Sequence, residues 1–138
     1  MPDIYAAFTW PTRVYWEDTD AGGVVYHAAY LCFLERARTE WLRWLGLEQQ
    51  RLREEHDLVF AVRGLRMDFH LPARLDDLLE VRVRLLELRA ASLRFAQSIE
   101  RNGATLVSAE VRAACLSASA FRPRTIPADL FPAPESDQ

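Results

Sequence analysis

This sequence predicts an α+β fold, one long helix packed against an antiparallel sheet, and three observations predict it. Apolar residues recur at helical spacing once, between Ala28 and Leu45. From residue 64 onward the period falls to two and stays there. Asn102-Gly103 interrupts that alternating region as a tight hairpin turn would. The chain has 138 residues, near the modal size of one domain and enough to bury a proper core. No internal repeat or linker divides it, so residues 1–138 are expected to form a single domain.

Residues 9–16 are aromatic and β-branched with Pro11 near the start, and read as a first strand. An acidic, glycine-rich loop follows. Tyr30, Leu34, Ala37, Trp41 and Leu45 then lie on one helical face, and Gly46 stands where a C-terminal cap belongs. Residues 48–56 are polar and read as a short exposed helix or connection. Beyond them, Leu65, Met67, Phe69 and Leu71 alternate with Gly64, Arg66, Asp68 and His70. Leu79, Val81, Val83 and Leu85 alternate with Glu80, Arg82 and Arg84, the pattern of a half-buried strand. Leu93, Phe95 and Ile99 continue it, and residues 104–119 form a last long strand. That strand carries Val107, Ala109, Val111, Ala113 and Cys115 on one face. The tail, about 122–138, holds four of the seven prolines and is expected to be extended or frayed.

Composition removes several function classes. The 17 basic residues are all arginine, so a Schiff-base lysine, a pyridoxal-phosphate lysine and a phosphate-loop lysine are impossible. No G-x-G-x-x-G occurs. The net charge is −3 and the arginines are interleaved with acids, which argues against a nucleic-acid partner. No apolar run reaches the roughly 20 residues of a membrane span, and none follows Met1 as a secretory leader would. The expectation is a cytoplasmic protein without an integral membrane segment. Cys32 and Cys115 are expected as core residues in a reducing compartment. His27, His56 and His70 fit no compact ligand spacing, so no metal is expected.

The chemistry-bearing stretch is WEDTDAGGVVYHAAYLCFLERARTEWL, residues 16–42. It sets Asp18, Asp20, Gly22 and Gly23 just ahead of His27 and the helix. Taken alone, D-x-D-x-G is most often a turn. Here the longer stretch YWEDTDAGGVVYHAAYLCFLERARTEWL is followed by MDFHLPARLDDLLEV and SLRFAQSI. Together these closely resemble the signature of hotdog-fold acyl-CoA thioesterases. The nearest branch is the one associated with the Tol-Pal envelope system and related to 4-hydroxybenzoyl-CoA thioesterase.

That resemblance implies a hotdog fold and hydrolysis of acyl-CoA to free acid and coenzyme A, with no separate cofactor because coenzyme A belongs to the substrate. It implies a homodimer or homotetramer whose sheets join edge to edge, with active sites between subunits. Two alternatives stand beside it: another reaction on acyl-CoA or an acyl carrier protein, dehydration or acyl transfer, and a non-catalytic acyl-binding module of the Tol-Pal system. The resemblance carries the nucleophile or general-base role onto Asp20 and the carbonyl-polarising N–H onto His27. The His27 side chain either orients the loop or touches substrate. Arg89 and Ser92, with Arg94 as a weaker third, fall where the family contacts the nucleotide or pantetheine arm.

The chemistry is intelligible on its own terms. Hydrolysing a thioester needs a carboxylate to attack the carbonyl or activate water. It also needs donors aimed at the oxygen that becomes negative, and the first N–H groups of a helix have no intrahelical partner. Gly22 and Gly23 let the backbone turn tightly and approach a substrate. Asp18 reads as a loop-shaping hydrogen bonder, and Tyr26 as a wall of the acyl pocket or simply core. Glu35, two turns into the helix, is the rival acid. It is assigned a supporting role near the substrate, its plainest alternative being an ion pair with Arg38.

Overall fold

The computed structural model describes residues 2–131. In chain order the elements are β1 (Phe8–Arg13), a 3-10 turn (Trp16–Asp18), α1 (His27–Trp44), α2 (Gln49–His56), β2 (Leu58–Phe69), β3 (Leu78–Leu88), β4 (Ser92–Arg101) and β5 (Ala104–Ser117). The five strands form one antiparallel sheet in the order β1-β3-β4-β5-β2. α1 packs on β1, β3 and β4. One long helix held against one antiparallel sheet is the hotdog arrangement that the resemblance implies.

α1 forms where the 3.6-residue pattern places it and buries Tyr30, Phe33, Leu34, Ala37, Trp41 and Leu42. Its end is a Schellman cap. Gly46 takes φ +85°, its N–H donates to the Arg43 carbonyl at 2.9 Å, and the Leu47 N–H donates to the Leu42 carbonyl at 2.8 Å. The predicted inward faces of β3 and β4 are buried under this helix, and Val107, Val111, Ala113 and Cys115 of β5 are buried in the same core. Each fully buried large apolar side chain stabilises the fold by about 1.5–3 kcal/mol. Asn102 and Gly103, both at positive φ, close the β4–β5 hairpin as expected.

Several expectations need correction. The first strand ends at Arg13, and Trp16 belongs to the 3-10 turn. β2 begins six residues before the alternation that announced it. Its register with β5 shifts between Val62 and Gly64, and that bulge breaks the two-residue period, so the first half carries no readable pattern. Cys115 is buried but Cys32 is exposed, because it lies on the solvent side of α1 next to the buried Phe33. The stretch expected as an extended or frayed tail runs without helix or strand from Arg122 to Phe131 and is docked on the sheet and helix there. Arg124 donates its N–H to the Cys115 carbonyl at 3.0 Å, Ile126 donates to Ala90 at 2.7 Å, and the Phe131 ring lies 6.0 Å from that of Trp41. Residues 132–138 of that tail lie outside the described residues.

Candidate active site

The loop before α1 is a small hairpin built by its own acids and glycines. Tyr26 donates its N–H to the Asp18 carbonyl at 2.8 Å, Thr19 pairs with Val25, and Asp20 donates its N–H to the Val24 carbonyl at 2.9 Å. The turn itself runs from Asp20 to Gly23, with Gly23 donating to the Asp20 carbonyl at 3.0 Å. Asp20 Oδ1 accepts the Gly22 N–H at 2.8 Å, an Asx turn. A Cβ on Gly22 would come within 3.1 Å of that same oxygen, and Gly23 sits at φ +79°. Glycine therefore clears space for the carboxylate at one position and permits the left-handed backbone at the next. Asp18 has the loop-shaping role: its Oδ2 accepts the Tyr15 N–H at 2.8 Å.

This hairpin delivers the chain to the helix with its N–H groups free. Tyr26 is the N-cap, in extended conformation; the first turn contains no acid, and no side chain caps it among the described residues. Ala29 donates back to the Tyr26 carbonyl at 2.8 Å. Among the described residues, the N–H groups of His27 and Ala28 have no hydrogen-bond acceptor. Asp20, Gly23, Tyr26 and His27 thus share one solvent-open junction, with the Tyr26 and His27 rings 4.4 Å apart. An exposed carboxylate lies in the hairpin that leads into uncapped donors and the positive end of a helix dipole.

The remaining candidates lie elsewhere. Glu35 is eight residues along α1 from His27, about 12 Å at the helical rise. It is exposed, and the alternative given for it, an ion pair with Arg38, is not made: the two have no contact within 4 Å among the described residues. Arg38 instead donates to Gln97 Oε1 at 2.8 Å, while Gln97 Nε2 donates to the Leu34 carbonyl at 3.1 Å. Burial lowers the Arg38 pKa, and the Glu35 charge opposes that shift. Glu35 and Arg38 border a cavity of about 250 Å³ whose apolar walls include Trp41, Phe60 and Phe95.

Arg89 and Ser92 meet at the β3–β4 turn, where the Arg89 N–H donates to the Ser92 carbonyl at 2.9 Å. They line a second concavity with Arg63, Arg94 and Arg112. Glu87 lies among them, held below the usual carboxylate range by hydrogen bonds from Arg89 and then Arg94. Among the described residues, Arg63 and Arg112 have no carboxylate within 4 Å. Sequence reading missed both, since β2 and β5 bring them together only through the bulged pairing opposite Gly64. It also missed Gln97, although a polar residue in the apolar register of β4 was a signal. Helical spacing places Tyr30 on the apolar face of α1 and gives no sign that its phenol oxygen accepts the Ala73 N–H, as it does at 3.0 Å.

Comparisons with known proteins bear on the family and the fold. A family model described as thioesterase-like superfamily matches residues 14–133. The chain is 48% identical over 123 residues to acyl-CoA thioesterase YbgC of Haemophilus influenzae, covering 89% of this chain and 90% of that protein. It is 47% identical over 124 residues to acyl-CoA thioester hydrolase YbgC of Escherichia coli O157:H7, covering 89% and 92%. Among solved structures, a probable thioesterase from Bartonella henselae superposes with a TM-score of 0.85 at 38% identity, covering 88% of this chain and 100% of that one. Matched across nearly its whole length, the chain belongs to the thioesterase-like superfamily.

Proposed function

We propose that this protein is an acyl-CoA thioester hydrolase in which Asp20 supplies the reacting carboxylate and the α1 N-terminus polarises the carbonyl. The observation that carries the reading is the junction itself, an exposed carboxylate in the hairpin that leads directly into a helix start whose first two N–H groups have no acceptor among the described residues. Those N–H groups would stabilise the oxyanion formed on attack at the thioester carbon. Asp20 either attacks that carbon, giving an anhydride that water hydrolyses, or takes a proton from the attacking water. In both routes the C–S bond breaks and coenzyme A leaves as the thiolate. High identity to the two YbgC enzymes supports the substrate class. Release of free thiol from a panel of acyl-CoAs, followed with a thiol reagent, tests it. Steady turnover is expected, and binding without turnover would leave an acyl-binding module instead.

Coenzyme A carries phosphates, and the concavity beside Arg89 and Ser92 supports a guanidinium site for them. Arg89→Ala is expected to raise KM for acyl-CoA several-fold with kcat nearly unchanged. A truncated pantetheine thioester should be much less affected. Equal effects on both substrates would remove Arg89 from the phosphate site.

One protomer holds these two regions far apart. The Asp20 loop is tied to Ala73 and Arg74, just before β3, while Arg89 follows its other end. β3 has 11 residues, roughly 35 Å of strand. An antiparallel pairing of edge strand β2 with that of a second copy would bring the Asp20 end of one toward the arginine end of the other. Val62 and Phe69 on that strand are 51% and 54% exposed, apolar surface that a second copy would cover. A homodimer, alone or paired into a tetramer, is the assembly this supports. Sedimentation velocity should find no active monomer at assay concentration.

A further inference from the structure

We infer that Tyr30 is a positioning residue for the thioester chemistry, its hydroxyl fixing the Asp20 loop against the α1 N-terminus through Ala73. The inference rests on the reading of Asp20 given above. Tyr30 lies in the first turn of α1 and is 4% exposed, packed by ring against Phe33 and Phe69. A phenylalanine would serve that packing equally well. A buried hydroxyl is costly unless bonded, and this one accepts the N–H of the fully buried Ala73 at 3.0 Å. The Ala73 carbonyl in turn accepts the Val25 N–H at 2.8 Å. Val25 is two residues before His27, and its neighbour Val24 accepts the Asp20 N–H. Helix, hydroxyl, Ala73 and loop therefore close a ring around the junction, and Asp20 rides on it.

The far side of the Ala73 segment is clamped as well. Arg74 pairs with Val24 and donates its N–H to Asp77 Oδ2 at 2.9 Å. Asp77 meets Arg101 at 2.5 Å, and Arg101 also donates to the Pro72 carbonyl at 3.3 Å. Burial pushes the Asp77 carboxyl up, but the Arg74 N–H and the Arg101 guanidinium outweigh it and hold it below the usual range. With the platform braced this way, the Tyr30 hydroxyl is the link that ties it to the helix whose N–H groups face the substrate. A shift of about 1 Å in such a constellation costs up to 10²-fold in rate.

The test is a cycle of Tyr30→Phe, Asp20→Asn and the double variant, assayed for thiol release. Tyr30→Phe is expected to lower kcat about 10-fold at unchanged KM, within the range that misplacement by a fraction of an ångström costs. In the Asp20→Asn background the same change should cost less than about twofold, because the group it positions is gone. Asp57→Asn serves as a control. It weakens the bonds that the Asp57 carboxylate accepts from the Ser119 N–H and hydroxyl, a tie between the C-cap of α2 and the turn after β5, and should lose stability while keeping kcat. Should Tyr30→Phe fail to fold, Asp77→Asn probes the same platform from its other end and should show the same kcat-selective loss. Wild-type kcat in the variant used, or an undiminished loss in the Asp20→Asn background, overturns the inference. Absence of turnover by the wild-type protein would instead overturn the proposed function.

Discussion

Asp20→Asn is expected to lower kcat by roughly 10²–10⁴, the scale for removing positioned acid–base or nucleophilic chemistry, or about 3–5 kcal/mol of transition-state stabilisation. The substitution isolates chemistry from structure for a reason visible in the loop. Asn keeps the side-chain oxygen that accepts the Gly22 N–H at 2.8 Å, so the Asx turn survives and only charge and basicity are lost. KM and melting temperature should therefore change little. Glu35→Gln is the paired measurement. Glu35 is exposed, forms no ion pair among the described residues and lies about 12 Å along the helix from the free N–H groups. Its loss should cost less than about threefold. A folded Asp20→Asn protein keeping more than a tenth of wild-type kcat, beside a crippled Glu35→Gln, would move the carboxylate role to Glu35.

What the sequence disclosed and what it concealed divide along the range of the interaction. Helix α1, its stop at Gly46 and the Asn102-Gly103 hairpin each depend on neighbours a few residues away, so local pattern suffices for them. The hairpin from Asp18 to His27 was legible for the same reason, since its internal bonds join residues within ten positions, whereas its tie to Ala73 was not. The β2 bulge was not, because one extra residue flips the alternation and erases the signal on its N-terminal side. Arg63 and Arg112 converge through strand pairing across nearly fifty positions, and Tyr30 reaches Ala73 across 43. No spacing rule sees such pairs. Cys32 misled for a different reason, since a small apolar-looking residue beside Phe33 differs from it by one step, and one step on a helix turns the side chain about 100° away.

Trp41→Ala is expected to destabilise the fold by about 3–5 kcal/mol, the largest loss anticipated for any single core truncation of this kind. Trp41 is fully buried in the C-terminal half of α1, edge-on to Phe95 at 5.2 Å and tilted against Phe131 at 6.0 Å. Removing its ring would unseat the helix from the sheet and free the docked end of the chain together. Trp41→Phe should behave very differently. The indole Nε1 is buried with no hydrogen-bond partner among the described residues, and a donor left so costs about 1–3 kcal/mol to hold out of water. Phenylalanine gives up contact area but removes that donor, so the two effects oppose and the net loss should stay below about 1.5 kcal/mol. Urea unfolding of both variants at one protein concentration, with the m-value checked for constancy, measures the difference. A Trp41→Phe loss as large as that of Trp41→Ala would mean that the indole N–H is satisfied, by ordered water for instance, and that ring size alone does not account for its stability contribution.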